Sequence, residues 1–292
     1  MKSTLTIVDK HIPVLPKETI ELLRPSTDKK FIDATLGDAG HTVLILEKGA
    51  IVLGIDADLK NVDRAKNISP NLTTVHGNFC NLANLAKANN FAQVDGILFD
   101  LGYSSTQLQD PEKGISFLNE GPLDMRLDPV NQGVTAADLL KVLTEKQLYE
   151  LFIEYGQEKR ARVIADAIVR ARLVRPIETT TQLAQIVENV IPRRNSDKIH
   201  PATKVFQSLR IAINSELDNL ESALLQSVEL LKPRGVLVVI SFHSLEDKIV
   251  KNFIRNNFLL ESLTTKPIIP DSLEVHQNRR ARSAKLRAAR KI

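Results

Sequence analysis

The sequence predicts an α/β protein with a parallel sheet that is interrupted by a helical insertion, and three observations support this prediction. The first hundred residues alternate short apolar runs with segments of helical periodicity, as strand–helix–strand crossover units do. A further apolar run, Gly235–Ser241, follows only after a long gap. The residues of that gap show mainly helical periodicity, so we expect them to form a separate helical domain.

Five strands are predicted, and they are listed here in chain order: Phe31–Thr35, Ile51–Ile55, Leu72–Val75, Val94–Phe99 and Gly235–Ser241. Each run is apolar, as strands of a sheet covered on both faces must be. Right-handed crossovers place helices on both faces of such a sheet, and ligands bind at the carboxyl ends of its strands. Functional residues are therefore expected directly after each strand.

The helical periodicity also sets the predicted domain boundaries. Residues 1–107 and 203–292 are expected to form the two parts of the sheet domain, and residues 108–202 the insertion, with a role in substrate recognition. Within the insertion, Glu158–Arg172 is predicted as one of several helices. The apolar-periodic stretch Thr203–Leu231 is predicted as a single helix that returns the chain to the sheet.

The composition is that of an ordinary globular protein. Of its 292 residues, 43% are hydrophobic and 25% charged, and no apolar run approaches the roughly 20 residues of a membrane span. The first residues lack the apolar core of an export signal. The single cysteine, Cys80, excludes an internal disulfide. We therefore expect a cytoplasmic protein that uses neither a membrane nor a metal, and the oligomeric state stays open.

Basic residues are concentrated near the end of the chain. The net charge is only +4, but the segment from Arg279 to Lys291 carries seven basic residues and no acid. Such a segment is either a solvated tail or a strip that contacts phosphates. Its basic residues are Arg279, Arg280, Arg282, Lys285, Arg287, Arg290 and Lys291.

The segment after the first strand has the form of a nucleotide-type site. Asp33 lies near the end of the strand, Gly37 and Gly40 allow a tight turn, and Asp56 follows the second strand, where an acid can accept ribose hydroxyls. A dinucleotide dehydrogenase shares this arrangement. The G-x-G-x-x-G spacing is incomplete, however, and Asp33 would repel a pyrophosphate but attract the cationic amino-acid end of S-adenosylmethionine. The alternative is that Asp33 and Asp56 only cap turns.

The next two strand ends carry candidate binding and catalytic residues. Phe79, after the third strand, is either a surface for an adenine ring or part of the core. After the fourth strand come Asp100 and Tyr103, an arrangement common in enzymes that methylate the amine of a base. There Asp100 would accept hydrogen bonds from the amine and Tyr103 would hold the base. The alternatives are a helix N-cap for Asp100 and packing for Tyr103.

The fifth strand is followed by the residues SFHSLEDK. Its His243, Glu246 and Asp247 resemble a metal triad, but their spacing matches no dedicated site. Ser244 and Asp247 have the spacing of a capping box, so no metal is predicted. We expect His243 to line the reaction cleft as a catalytic residue.

Several long motifs of the chain are those of one protein family. The chain resembles the RsmH (formerly MraW) ribosomal RNA cytosine-N4 methyltransferases along nearly its whole length. The matching motifs are HIPVL (11–15), DATLG and GH (33–37, 40–41), GIDAD (54–58), DGILFDLG with SS (95–102, 104–105), GPLDMR (121–126), HPAT with FQ and LRI (200–203, 206–207, 209–211), ISFHSLED (240–247) and RARSAKLR (280–287).

The resemblance implies a Rossmann-like class I S-adenosylmethionine-dependent methyltransferase sheet with an inserted helical domain. It further implies S-adenosylmethionine as donor and, as acceptor, a cytidine near the decoding centre of 16S rRNA in the small ribosomal subunit. The donor-binding positions that the motifs carry over are Ala39, Gly40, His41, Asp56, Phe79, Asp100 and Gln107.

The chain departs from the family pattern at three places, one of which is Arg279, where a proline is expected before RARSAKLR. Where the family reads GGGGH, this chain has Asp38 and Ala39 within residues 37–41, so we expect an altered donor affinity rather than a loss of activity. Where this chain has Tyr103, the family has an aliphatic residue. The resemblance therefore does not support base stacking by Tyr103.

Three functions are possible for this sequence: an rRNA methyltransferase, a nicotinamide-dependent oxidoreductase, and a ribosome-binding protein without activity. For the first, RNA phosphates are expected to meet Arg279, Arg280 and Arg282 together with arginines of the insertion. The arginines of the insertion are Arg160, Arg162, Arg170, Arg172, Arg175, Arg193 and Arg194.

Overall fold

The computed structural model describes residues 12–193 and 199–292. Arg194 and His11 therefore lie outside the described residues. The chain divides into two compact units: the first extends to Ser104 and resumes with Leu217–Ile292, and the second is Ser105–Glu216. Within the described ranges, every helix is too short or too polar to cross a bilayer.

The helices and strands, in chain order, have the following bounds. The strands are β1 Lys30–Asp33, β2 Ile51–Asp56, β3 Leu72–His76, β4 Val94–Asp100, β5 Leu231–Ser241, β6 Leu260–Ser262 and β7 Lys285–Lys291. The α-helices are α1 Pro16–Leu23, α2 Gly40–Leu46, α3 Leu59–Ala65, α4 Leu82–Ala88, α5 Ser105–Gln109, α6 Ala136–Val142, α7 Glu145–Glu154, α8 Ala161–Val174, α9 Thr180–Val190, α10 Thr203–Asn214, α11 Glu216–Leu230, α12 Ser244–Asn256 and α13 Ser272–Gln277. Three short 3₁₀ segments lie at Phe79–Asn81, Pro111–Lys113 and Arg279–Ser283.

The first unit is built on one seven-stranded sheet in the order β3-β2-β1-β4-β5-β7-β6. Strands β1 to β5 are parallel, and β7 runs antiparallel to both β5 and β6. The α/β fold with a parallel sheet is thus confirmed, and all five predicted strands are present with small shifts of their ends. The chain order reverses beside β1, where β2 lies on one side and β4 on the other, so a ligand cleft is expected at the carboxyl ends of these strands.

Both faces of the sheet are apolar because both are covered. On one face Ile32 and Ile97 belong to a buried cluster with Leu224 of α11, and on the other Phe31 and Leu98 belong to a second cluster that includes helices α1 and α2. Adjacent strand residues thus alternate between the two clusters, as the two-residue repeat of a strand requires. Full burial of each such side chain contributes about 1.5–3 kcal/mol.

The basic C-terminal segment is an interior strand of this sheet. Strand β7 pairs with β5 along Val236–Ser241 and with β6 along Leu260–Ser262, so it is neither a solvated tail nor an edge strand. Its side chains Leu286 and Ala288 are fully buried. The sequence pattern is misleading here because basic residues mask the short apolar run that forms the strand.

Helices α5 to α10 belong to the second unit, around a core of its own. Phe152, Ile164 and Leu209 are fully buried members of that core. Helices α6, α7 and α9 each begin at a capping box, with threonine as the N-cap residue. Reciprocal capping hydrogen bonds satisfy main-chain N–H groups that the helix itself leaves without partners.

The prediction of one helix over Thr203–Leu231 is wrong. The chain breaks at Ser215, which has a left-handed backbone conformation with φ of 48°, and α10 and α11 lie on either side. Helix α10 packs on α6 and α7, so the helical unit extends to Glu216 rather than ending at residue 202. The apolar periodicity did not reveal the break because both helices are amphipathic. Periodicity shows that one face of a helix is buried, but it does not show which part of the protein covers that face.

Candidate active site

The turn after β1 is held by the buried carboxylate of Asp33. This side chain accepts hydrogen bonds from the Thr42 hydroxyl at 2.7 Å and from the Thr35 main-chain N–H at 3.2 Å. Asp33 is 1% exposed, and burial raises its pKa to about 6. The side chain is therefore an anion at neutral pH, as the attraction of a cationic ligand requires. Neither threonine was identified from the sequence, although Thr35 lies in the DATLG motif and Thr42 directly follows the GH motif.

The glycine loop contains two residues with left-handed backbone. Gly37 has φ of 52° and Ala39, the N-cap of α2, has φ of 61°. Ala39 is buried in the apolar cluster that also contains Leu36 and Val14. The Ala39 methyl group therefore contributes to the core.

Asp56 at the end of β2 already binds the loop. One of its oxygens accepts hydrogen bonds from the Gly37 main-chain N–H at 2.7 Å and the Asn61 side chain at 3.0 Å. The other accepts one from the Asp58 N–H at 2.8 Å. A carboxylate has about four acceptor sites, so these three bonds leave capacity for a ligand hydroxyl. Burial raises the pKa of Asp56. Capping the turn is thus compatible with binding ribose.

Asp100 ends β4 next to the same loop. Its N–H donates to the Thr35 hydroxyl at 2.6 Å, and its carboxylate lies 3.7 Å from the His41 ring. Burial raises its pKa to about 7, while the positive charge of Arg280 opposes the rise. The next helix, α5, begins only at Ser105, so Asp100 is not the N-cap of that helix.

A pocket at the carboxyl ends of β1 and β4 brings several predicted residues together. Predicted residues that line it are Asp33, Gly37, Gly40, His41, Asp100 and Arg280. Asp38, which departs from the family pattern, lines the pocket as well and lies 3.4 Å from the Arg64 guanidinium.

Arg280 is placed differently from its two neighbours in sequence. It lines the pocket and donates a hydrogen bond to the Tyr103 carbonyl, whereas Arg279 and Arg282 are exposed. The Arg279–Ser283 segment is a 3₁₀ turn with three residues per turn, so Arg279 and Arg282 share one side and Arg280 points elsewhere. RNA contact therefore stays a prediction for Arg279 and Arg282, while Arg280 lines the pocket instead.

The other basic residues of the C-terminal segment are engaged within the first unit. Lys285 and Arg287 bind Asp247 at 3.1 and 2.6 Å. The Lys291 ammonium donates to the main-chain carbonyls of Val228 and Leu231 at 2.6 and 2.7 Å. These pairs tie β7 to its neighbours, so this part of the basic segment is structural.

Two aromatic candidates are packed against protein. Phe79 is half-buried and contacts Phe99 edge to face, with ring centroids 5.7 Å apart. Tyr103 is 6% exposed, so in this conformation little of its ring is open to a base.

Gln107, which the resemblance gives as a donor-binding residue, is buried on α5, within the second unit.

His243 is the N-cap of α12. Its Nδ1 accepts a hydrogen bond from the Glu246 N–H at 3.4 Å, and the Glu246 carboxylate accepts one from the His243 N–H at 3.2 Å. The capping box therefore lies one residue earlier than the predicted Ser244–Asp247 pair. Asp247 instead binds β7, so the triad suggested by the sequence is divided between two structural roles.

Two predicted RNA-binding arginines of the second unit have partners there. Arg172 donates hydrogen bonds to the main-chain carbonyls of Leu140 and Leu143, the latter at 2.7 Å, and thereby caps the C-terminal end of α6. Arg170 forms an exposed pair with Asp166 at 2.9 Å. The other described arginines of this set are exposed: Arg160, Arg162, Arg175 and Arg193.

A glycine loop after β1 and acids at the ends of β2 and β4, on a sheet whose seventh strand is antiparallel, are the features of a methyltransferase of the α/β class. The sequence profile of the MraW methylase family matches residues 9–292. The chain belongs to this family, and the resemblance inferred from the motifs is confirmed.

The relatives cover nearly the whole chain. Ribosomal RNA small subunit methyltransferase H of Thermomicrobium roseum is 47% identical, over 97% of this chain and 94% of its own length. The protein of the same name from Deinococcus radiodurans is 49% identical, over 95% of this chain and 88% of its own length. The crystal structure of a putative rRNA-methylase from Clostridium thermocellum is 12% identical and covers 97% of this chain and 100% of its own, with a TM-score of 0.44.

Proposed function

We propose that the protein transfers a methyl group from S-adenosylmethionine to the exocyclic N4 amine of a cytidine near the decoding centre of 16S rRNA. The observation that carries the proposal is the position of Asp100, which shares one pocket with the loop at Gly37–Gly40. An acceptor for amine hydrogens thus lies beside the place expected for the donor. The names of the relatives, which are small-subunit rRNA methyltransferases, support small-subunit rRNA as the substrate and with it a cytoplasmic location.

The pocket fits the donor chemically. Its buried anionic Asp33 suits the donor's ammonium group. Asp56 is not among the residues that line the pocket but binds the N–H of its Gly37, and it retains capacity to accept a ribose hydroxyl. When bound, S-adenosylmethionine supplies an electrophilic methyl group on its sulfonium. The same arrangement does not suit a dinucleotide, because Asp33 and Asp38 would repel its pyrophosphate, so the oxidoreductase alternative is disfavoured.

Asp100 supplies the chemistry that an aromatic amine needs. The nitrogen lone pair of a cytosine amine is delocalised into the ring. A carboxylate that accepts hydrogen bonds from the N–H groups of the amine localises this lone pair on the nitrogen. An acid with a pKa of about 7 is also well suited to take up the proton that the methylated amine loses. The reaction is an in-line displacement, so the pocket also accelerates it by holding the amine and the methyl group in line.

RNA would be held by exposed arginines. Arg279 and Arg282 lie on one side of their turn, and the second unit adds four exposed arginines besides Arg170, which pairs with Asp166: Arg160, Arg162, Arg175 and Arg193. Arginines bind phosphates through two parallel hydrogen bonds, and a base in a loop or single strand is accessible to the pocket.

The test is turnover followed by identification of the product. The purified protein is incubated with isotopically labelled S-adenosylmethionine and small subunits from a strain that lacks the family member, and the digested rRNA is analysed by mass spectrometry. We expect label in N4-methylcytidine, and loss of that label with the matched variant Asp100→Asn. Label in another nucleoside would contradict the acceptor. Donor binding without turnover on subunits or on RNA would favour the non-catalytic ribosome-binding alternative.

A further inference from the structure

We propose that Arg280 binds the α-carboxylate of the methyl donor, and this inference rests on the proposed function. The amino-acid end of S-adenosylmethionine is a zwitterion, so its site needs an anion for the ammonium and a cation for the carboxylate. Among the described residues that line the pocket, Asp33, Asp38 and Asp100 are acids and Arg280 is the one arginine or lysine. Arg280 therefore supplies the charge that the three acids cannot.

The surroundings of Arg280 suit a ligand anion as well as a structural role. Burial lowers its pKa, and the negative charges of Asp100 and Asp38 act against that effect. A half-buried guanidinium is costly to desolvate, and such groups are retained where a bound anion or an ion pair offsets the cost. The planar guanidinium also matches a carboxylate through two parallel hydrogen bonds.

A phosphate of the RNA fits this position less well. Asp38 and Asp100 contribute negative charge at Arg280, which would repel a phosphate approaching without a compensating cation. The donor carries its own ammonium, which offsets that charge. The exposed neighbours Arg279 and Arg282, by contrast, are accessible to a phosphate backbone.

The experiment compares two ligands that differ only in the carboxylate. Calorimetry measures the affinity of the full-length protein and of Arg280→Gln for S-adenosylmethionine and for decarboxylated S-adenosylmethionine. We expect the substitution to weaken binding of S-adenosylmethionine by roughly 10- to 100-fold, the range of a charged hydrogen-bonded contact. Binding of the decarboxylated ligand should change by less than about threefold. Arg280→Lys should be intermediate because it keeps the charge but not the planar fork.

Arg282→Gln is the matched control, since Arg282 lies on the same turn but is exposed, and it should bind both ligands as the wild type does. Equal losses for the two ligands with Arg280→Gln would overturn the proposal and leave Arg280 a structural role through the Tyr103 carbonyl. Unchanged donor affinity with weakened RNA binding would overturn it in favour of RNA.

The wild-type protein provides a test that does not depend on the folding of any variant. If it binds the two ligands equally well, the carboxylate is not recognised and the proposal is wrong. If it binds neither, the proposed function itself fails, which is a different result.

Discussion

Arg280 and Asp100 line the same pocket, and the positive charge of Arg280 restrains a carboxyl group whose pKa burial raises to about 7. The two residues lie far apart in the sequence. The 3₁₀ turn before β7 and the end of β4 bring them together because β5 pairs with both strands. The protonation of Asp100 therefore depends on a segment near the C-terminal end of the chain.

This relationship predicts the pH dependence of catalysis. Asp100 accepts amine hydrogens only when ionised, so kcat/KM for the donor, which reports the ionisation of the free enzyme, should rise as the pH passes about 7 and then level off. In Arg280→Gln the opposing charge is lost, the pKa of Asp100 rises, and the midpoint should move to higher pH. Rates measured at a series of pH values give the midpoint for the wild type and for the variant. A midpoint that moves to lower pH would contradict this electrostatic relationship.

Asp100 should also make stability depend on pH. Its carboxyl has a pKa of about 7 in the folded state against 3.8 as the reference value, so between these limits the unfolded chain binds fewer protons and rising pH favours unfolding. Asp100→Asn removes this contribution. Its free energy of unfolding, relative to wild type, should therefore increase from pH 4 to pH 7, by about 4 kcal/mol at most. Denaturant titrations at several pH values test this, and a constant difference would contradict it.

Asp56 is expected to affect the donor and the fold together. Asp56→Ala removes the acceptor of three hydrogen bonds as well as the proposed ribose contact. Donor affinity should fall by about 1–3 kcal/mol, with a loss of stability of similar size. Calorimetry and thermal unfolding separate the two effects. Unchanged donor affinity in a destabilised variant would leave Asp56 as a turn cap only.

Tyr103 is predicted to matter more for stability than for turnover. Because the side chain is nearly buried, Tyr103→Ala should lower the free energy of unfolding by about 3–5 kcal/mol, the range for truncated buried aromatic residues. Tyr103→Phe keeps the ring and is the matched control. At a temperature where both variants are folded, we expect a smaller loss of turnover than with Asp100→Asn. An equal loss would instead support base stacking by Tyr103.

The exposed arginines should determine the salt dependence of RNA binding. Replacing Arg279 and Arg282 by glutamine removes up to two phosphate contacts, so the slope of log affinity against log salt should flatten by about 1–2. Arg287→Gln is the control, since Arg287 is bound to Asp247 in the sheet. It should lower stability and leave the slope unchanged. An unaltered slope in the double variant would argue against RNA contact at this turn.

The sequence by itself determined the strands and the acids at their ends. The apolar runs at β1, β2 and β4 predict those strands because period and residue type report burial locally. Asp33, Asp56 and Asp100 follow from the same logic, since polar residues that end parallel strands reach one edge of the sheet. Motif agreement then identified the family, which the comparison confirms.

The tertiary structure alone decided three further points: the break at Ser215, the interior place of β7 and the inward direction of Arg280. Each depends on residues far apart in the chain, and no local pattern encodes which surface a helix, strand or side chain will meet. Arg279, Arg280 and Arg282 are alike in sequence, and the 3₁₀ turn that precedes β7 separates them. The position of Arg280 beside the donor pocket arises because β5 pairs β7 to the parallel sheet, and that pairing is a contact of the folded chain.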